Sequence, residues 1–343
     1  MNRRNAFILG LVLLLGAASS AGAEYVRPSR IVMLWDFIQR TADNRNPGKR
    51  ITHNGINVLS PTWFSIKNRN GTVSSLADKG YVRWAHDNGI KVWAIFENRS
   101  DRDLTFWILS NNARRKGIID RITGYVREYG LDGINIDFEA MSPETGRYFE
   151  QFITELYQAL KPLGIVLSVD IPLPARDMRE ICDIGIIARN SDYIILMGYD
   201  QHHSASETIG PVAAIGWVRQ GIKEALQYFS RDRLILGIPF YTRIWIENRK
   251  GSAVTTSSEL KGMKETYERF KKNSRIWDRD RATEQIYAEY SEGTKTYKVW
   301  LEDEHSISLK LDAVNDYDLA GISAWRSGWE WNETWDMIYA YFK

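Results

Sequence analysis

The sequence predicts an α/β fold, a closed (β/α)8 TIM barrel with a small α+β insertion between its seventh and eighth strands. Three observations carry that expectation. Short β-branched runs recur eight times along the chain. Longer stretches of helical periodicity lie between them, which is the mark of repeated βα units and a parallel sheet. Finally, about 80 residues separate the seventh run from the eighth, far more than one βα connection uses.

In chain order the runs are Ile31 to Trp35, Gly55 to Ser60, Lys91 to Phe96, Asp132 to Glu139, Ile165 to Asp170, Tyr193 to Tyr199, Leu234 to Phe240 and Gly321 to Trp325. Among the helices between them, Leu76 to Asn88 places Leu76, Gly80, Val82 and Ala85 on one face and stops at Gly89. Pro143 to Leu160 repeats Tyr148, Phe152, Leu156 and Leu160 at helical spacing, so those aromatic residues belong to a core. The insertion is expected over residues 246–305, with a helix from Met263 to Lys272 and strands from Arg281 to Glu289 and Lys295 to Trp300 around a turn at Glu292-Gly293. The barrel as a whole is expected over residues 24–343 as one domain.

Residues 1–23 read as a signal peptide: Arg3 and Arg4 precede an apolar run from Ala6 to Leu15, and small residues end in Ala21-Gly22-Ala23. The apolar run is too short for a membrane anchor, which takes roughly 20 residues. The expected location is therefore secreted, periplasmic or in the cell envelope, with no stable membrane anchor after cleavage. Cys182 is the single cysteine, so no intramolecular disulfide is available. Formal charge is +2 and the leader holds two arginines and no acid, which leaves the remainder near neutral and argues against a nucleic-acid partner. Nothing in the sequence sets an oligomeric state.

Within Asp132 to Glu139, strand alternation puts Asn135, Asp137 and Glu139 on one face and Ile134, Ile136 and Phe138 on the other. The apolar set faces the helices, so the polar set points into the barrel, where uncompensated charge is costly. Its acids lie at the C-terminal end of the strand, where barrel active sites are built. Neighbouring carboxyls resist joint ionisation, so one can remain a proton donor near neutral pH, and Glu139 at the tip is the candidate. The bland alternatives are a buried hydrogen-bonded acid cluster or a hard-cation site.

The segment Asp132-Gly133-Ile134-Asn135-Ile136-Asp137-Phe138-Glu139 resembles the DGxDxDxE signature of family 18 glycoside hydrolases, with Asn135 where the signature has an acid. That variant resembles the bacterial branch of spore-cortex and peptidoglycan N-acetylglucosaminidases. Met197-Gly198-Tyr199-Asp200, Phe240-Tyr241-Thr242-Arg243 and Ser323-Ala324-Trp325-Arg326 are similar to the family's motifs at the sixth, seventh and eighth strands. Ala94-Ile95-Phe96-Glu97 stands where the family usually has Ser-x-Gly-Gly.

The resemblance implies hydrolysis of β-1,4 linkages next to N-acetylglucosamine with retention, the substrate's own acetamide being the nucleophile. It assigns Glu139, Asp137 and Tyr199 to catalysis. Asn135, Met197, Asp200, Tyr241, Arg243 and Trp325 are assigned to substrate binding, and Trp63 to an extension of the Trp325 platform. The implied partner is an N-acetylglucosamine-containing polysaccharide, peptidoglycan or a related cell-wall glycan, with no cofactor. A chitinase and a sugar-binding chitinase-like lectin are the alternatives, the lectin disfavoured by the retained acids. His202 and His203 are adjacent and lack a third ligand, so no metal site is expected. No Gly-x-Ser-x-Gly elbow supports a serine hydrolase.

Overall fold

The computed structural model describes residues 30–343, so the segment read as a signal peptide lies outside the described residues. Eight parallel strands close into a barrel: Ile31–Asp36, Val58–Pro61, Lys91–Glu97, Gly133–Asp137, Val166–Pro172, Tyr193–Met197, Leu234–Pro239 and Gly321–Trp325. The ring closes where Ile31 to Leu34 run beside Gly321 to Ala324. All eight expected strands are present, with ends shifted by a few residues, as helix- and strand-end fraying produces.

Two apolar layers hold the barrel. Outward-facing strand residues pack under the helices: Ile134, Ile136 and Phe138 are buried, and the Phe138 ring lies 5.8 and 5.5 Å from those of Phe149 and Phe152 on the helix Pro143–Leu160. The barrel interior is filled by bulky side chains, among them Met33, Trp35, Trp93, Ile95, Ile195 and Ile235. Each large apolar side chain so buried contributes roughly 1.5–3 kcal/mol. Polar residues occupy the layer above, at the C-terminal ends of the strands, and that end carries the chemistry. Among the described residues no helix is long and apolar enough to cross a membrane.

After the seventh strand the chain runs straight into an antiparallel five-stranded sheet over Tyr241–Leu301. Its strands are Tyr241–Lys250, Ala253–Gly262, Ile276–Asp280, Gln285–Glu292 and Lys295–Leu301, with the helix Met263–Asn273 packed on one face through Phe270. The sheet thus starts five residues before the expected 246, because Tyr241 to Lys250 continue the polypeptide as a long strand. The strand expected from Arg281 begins only at Gln285. Residues 281–284 form a turn, in which the Asp280 carboxylate accepts the Ala282 N–H and Glu284 has a left-handed φ of 60°.

A buried polar network fastens this sheet to the barrel. Glu302, fully buried, receives Lys310 Nζ at 2.9 Å, Ser306 Oγ at 2.7 Å and Gln285 Nε2 at 2.9 Å, and Lys310 itself is 1 % exposed. Burial pushes the Glu302 carboxyl up while Lys310 pulls it back. Removing one member leaves an uncompensated buried charge, so Lys310→Ala is expected to lower stability by about 3–5 kcal/mol. Thermal unfolding checks this, and Glu302→Gln added to Lys310→Ala should recover part of the loss. An unchanged melting temperature in the single variant would show that the pair contributes little.

Candidate active site

The polar residues of the fourth strand converge as alternation requires. Asn135 is fully buried: its Oδ1 accepts Trp35 Nε1 at 2.9 Å and Ser60 Oγ at 3.3 Å, and its Nδ2 donates to Asp170 Oδ1 at 2.7 Å. Two residues on, Asp137 ends the strand with its Oδ1 shut off from solvent and without a hydrogen-bond partner. Burial, then the charges of Glu139 and Glu97, hold its carboxyl well above the usual carboxylate range. Asp170, on the fifth strand and 4 % exposed, is also raised by burial and by Asp137, against the Asn135 hydrogen bond that favours its charged form. Neither Asp137 nor Asp170 is ion-paired to a lysine or arginine among the described residues. The floor of the site therefore holds two neighbouring carboxyls whose charged forms burial disfavours, and a cation developing above them would favour that charge.

Glu139 is exposed, one step beyond the strand, and two side chains of the third βα loop hold it. Asn98, buried after the third strand, grips its backbone: Nδ2 donates to Glu139 O at 2.8 Å and Oδ1 accepts Glu139 N–H at 3.0 Å. Ser100 Oγ donates to Glu139 Oε2 at 2.9 Å. Arg99 and Ser100 have left-handed φ values of 59° and 52°, the kind of strain that persists where surrounding structure fixes a functional loop. Glu97, paired in register with Asp137, is raised by burial and by Glu139, with Arg99 opposing.

The remaining strands wall a cleft of about 330 Å³ beside Glu139, lined by Pro172, Met197, Tyr199, Asp200 and Trp217 among others. Burial keeps the Tyr199 phenol neutral, and its hydroxyl has no hydrogen-bond partner among the described residues. Tyr241 Oη donates to Asp200 Oδ1 at 2.7 Å and Arg243 Nη2 approaches the same oxygen at 3.3 Å. Asp200 itself has a left-handed φ of 60° and reaches solvent. Trp325 stands at the mouth, with its ring 5.8 Å from Trp35 and 6.1 Å from Phe37. A larger depression of about 920 Å³ lies on the outer wall around Arg147, Arg179 and Asp183, away from the strand tips.

Most of the expected site residues meet at this mouth, and several change position in it. Glu139, Asp137, Tyr199, Met197, Asp200 and Trp325 line or floor the opening. Asn135 does not reach it: it is fully buried and bonded to Trp35, Ser60 and Asp170. Tyr241 and Arg243, 1 % and 6 % exposed, stand behind Asp200 and hold it. Trp63 is not a platform: it is 2 % exposed, its Nε1 donates to Asn44 Oδ1 at 2.9 Å, and the hairpin Phe64–Ile66 with Val73–Ser75 and the helix Lys79–Asp87 cover it. Asp170, Glu97, Asn98 and Ser100 were not anticipated. The one signal for Asp170 was an inward-facing acid in a mostly apolar strand. His202 and His203 do not converge, because His202 Nδ1 sits 3.0 Å from Pro211 O. Among the described residues no group of three or more His, Cys, Asp or Glu is placed to share a metal ion.

Comparison with known proteins fits this geometry. The model of glycosyl hydrolases family 18 matches residues 27–328. An uncharacterized glycosylase, YvbX of Bacillus subtilis, is 25% identical over 298 residues, covering 83% of this chain and 85% of the relative. The cortical fragment-lytic enzyme of Bacillus subtilis is 23% identical over 240 residues, 67% of this chain, which spans 54% of that enzyme. The fold is shared with a chitinase from Chromobacterium violaceum (TM-score 0.78, 20% identity, 90% of this chain and 98% of that one). It is shared equally with the Bacillus cereus spore cortex-lytic enzyme SleL (TM-score 0.78, 19% identity, 92% and 75%). With its closed barrel, its acids at the fourth strand tip and a family match over nearly all of the described residues, this chain belongs to family 18 of the glycosyl hydrolases.

Proposed function

We propose that the protein cleaves β-1,4 linkages next to N-acetylglucosamine in peptidoglycan or a related cell-wall glycan, with retention and with the substrate's acetamide as nucleophile. The observation that supports this most is the division of labour at the fourth strand tip. Glu139 is exposed beside the cleft, while Asp137 lies beneath it, half-buried and with its Oδ1 shielded from solvent and without a hydrogen-bond partner. Glu139 donates its proton to the glycosidic oxygen as the bond from that oxygen to the anomeric carbon breaks. The acetamide carbonyl oxygen bonds to the anomeric carbon and gives an oxazolinium ion. Asp137 accepts the acetamide N–H and offsets the positive charge, and the free Tyr199 hydroxyl donates to the acetamide oxygen. Water then adds to the anomeric carbon, giving its proton to Glu139, as the bond from that carbon to the acetamide oxygen breaks and the acetamide is restored.

The cell-wall preference is supported by the likeness to cortical fragment-lytic enzymes, and a leader over residues 1–23 would deliver the enzyme to such a substrate. Mass analysis of products from purified peptidoglycan and from chitooligosaccharides tests the reading. Saccharides with N-acetylglucosamine at the new reducing end are expected from peptidoglycan. Release from chitooligosaccharides alone would make the enzyme a chitinase instead.

A further inference from the structure

Arg326 follows Trp325 at the barrel mouth, and its guanidinium is wedged against two aromatic rings. Its Cζ lies 4.2 Å from the Phe37 ring centroid and 3.9 Å from that of Trp329. Phe37 in turn touches Trp325, and Trp329 touches Tyr241, which holds Asp200. The cation is thus built into the aromatic rim between the Trp325 platform and the cleft wall.

Its backbone is fixed as well. Ser327 N donates to Trp35 O at 3.0 Å and Ser327 Oγ to Asp36 Oδ1 at 2.7 Å. Asp36 is fully buried and also takes Arg50 and the Tyr81 hydroxyl.

The five N–H donors of Arg326 find no hydrogen-bond acceptor among the described residues. The two acids in electrostatic reach are engaged elsewhere, Asp36 as above and Glu330 toward His53 at 3.7 Å. Half-burial pushes the Arg326 pKa down, yet a guanidinium stays charged throughout the working pH range. The guanidinium is half-buried and stacked between two rings, so its fork is held in place with N–H donors left for an acceptor that a ligand can bring. A neutral glycan brings no charged acceptor. A glycan bearing carboxylates gains a fixed partner here, at the rim of a cleft whose lining includes the acids Glu139 and Asp200.

We propose that Arg326 is a carboxylate-recognition site that selects glycans bearing an acidic substituent on the sugar beside the one seated on Trp325. Stacked arginine presents a planar fork that matches a carboxylate bidentately, which a lysine cannot reproduce. The inference rests on the glycosidase reading above and names the substrate class for that same site: an N-acetylated glycan with carboxylate side groups.

The test uses the full-length protein and three substrates: glycan strands stripped of stem peptide so that their lactyl carboxylates are free, the same strands with those carboxylates methyl-esterified, and chitohexaose. In wild type the free-acid strands should be preferred in kcat/KM over the ester. Arg326→Gln should reduce that preference about tenfold or more, through KM rather than kcat, as loss of one charge-assisted hydrogen-bonded pair implies. Arg326→Lys should fall between the two and serves as the second variant. Equal losses on acid and ester, which leave the ratio unchanged, would overturn the inference and make Arg326 a structural neighbour of Glu330. Wild-type inactivity on all three glycans would instead overturn the glycosidase reading itself.

Discussion

Glu139→Gln is expected to lower kcat on N-acetylglucosamine glycans by about a thousandfold, while oligosaccharide binding and melting temperature stay close to wild type. Positioned general acids contribute ~10²–10⁴ in rate, about 3–5 kcal/mol of transition-state stabilisation. Little else depends on this side chain. It is exposed, and among the described residues its carboxylate accepts one hydrogen bond, from Ser100 Oγ, which a glutamine oxygen also accepts. The backbone clamp from Asn98 does not touch the carboxyl and survives the change. Steady-state kinetics with calorimetric titration of an oligosaccharide separates the two effects. Turnover at the wild-type rate would remove Glu139 from catalysis, and parallel loss of binding and stability would make it a structural residue.

How much of this site the sequence carried depends on the range of the interactions. Strand alternation is local, so the inward set Asn135, Asp137 and Glu139 and the outward set Ile134, Ile136 and Phe138 were legible from eight residues. The Asn98 clamp was not, because its meaning depends on the third strand lying beside the fourth, which brings together residues 41 positions apart. Asp170 and Asn135 likewise meet across 35 positions. Trp63 misled for the same reason in reverse. An aromatic residue after a barrel strand suits a sugar platform, but a hairpin and a helix further along the chain bury it. The polar strand Ala253–Gly262 escaped detection because its first five residues are exposed, which erases the alternation that marks a half-buried strand.

Burial, with neighbouring acids, raises the carboxyls of Asp137, Asp170 and Glu97 at the base of the site. Asn135 keeps hydrogen-bond continuity where the family signature has an acid. The Asp170 carboxyl, from the next strand, places a second acid at the far end of that amide. The site therefore retains a pair of inward carboxyls, Asp137 half-buried and Asp170 buried, with no lysine or arginine paired to either among the described residues. Such groups titrate as a pair and not as two independent residues.

Removing one of them separates function from stability. Asp137→Asn is expected to cut kcat by ~10²–10³, the usual cost of losing one preorganised electrostatic partner of the transition state. The same change should raise stability, and the sign follows from linkage. The folded Asp137 pKa lies above its unfolded value near 3.9, so its favourable contribution is complete below that value and is lost as pH rises through the folded pKa. Asparagine does not titrate, so the variant's advantage should be small at pH 4 and grow toward pH 8. A gain of about 1 kcal/mol, or ~2 °C, is the scale found when a strained active-site group is relieved. Melting curves of both proteins across that pH range, set beside kcat at the optimum, decide the matter. A constant difference in melting temperature would mean that the Asp137 carboxyl titrates alike in the folded and unfolded chain, and that its surroundings in the site do not disfavour its charge.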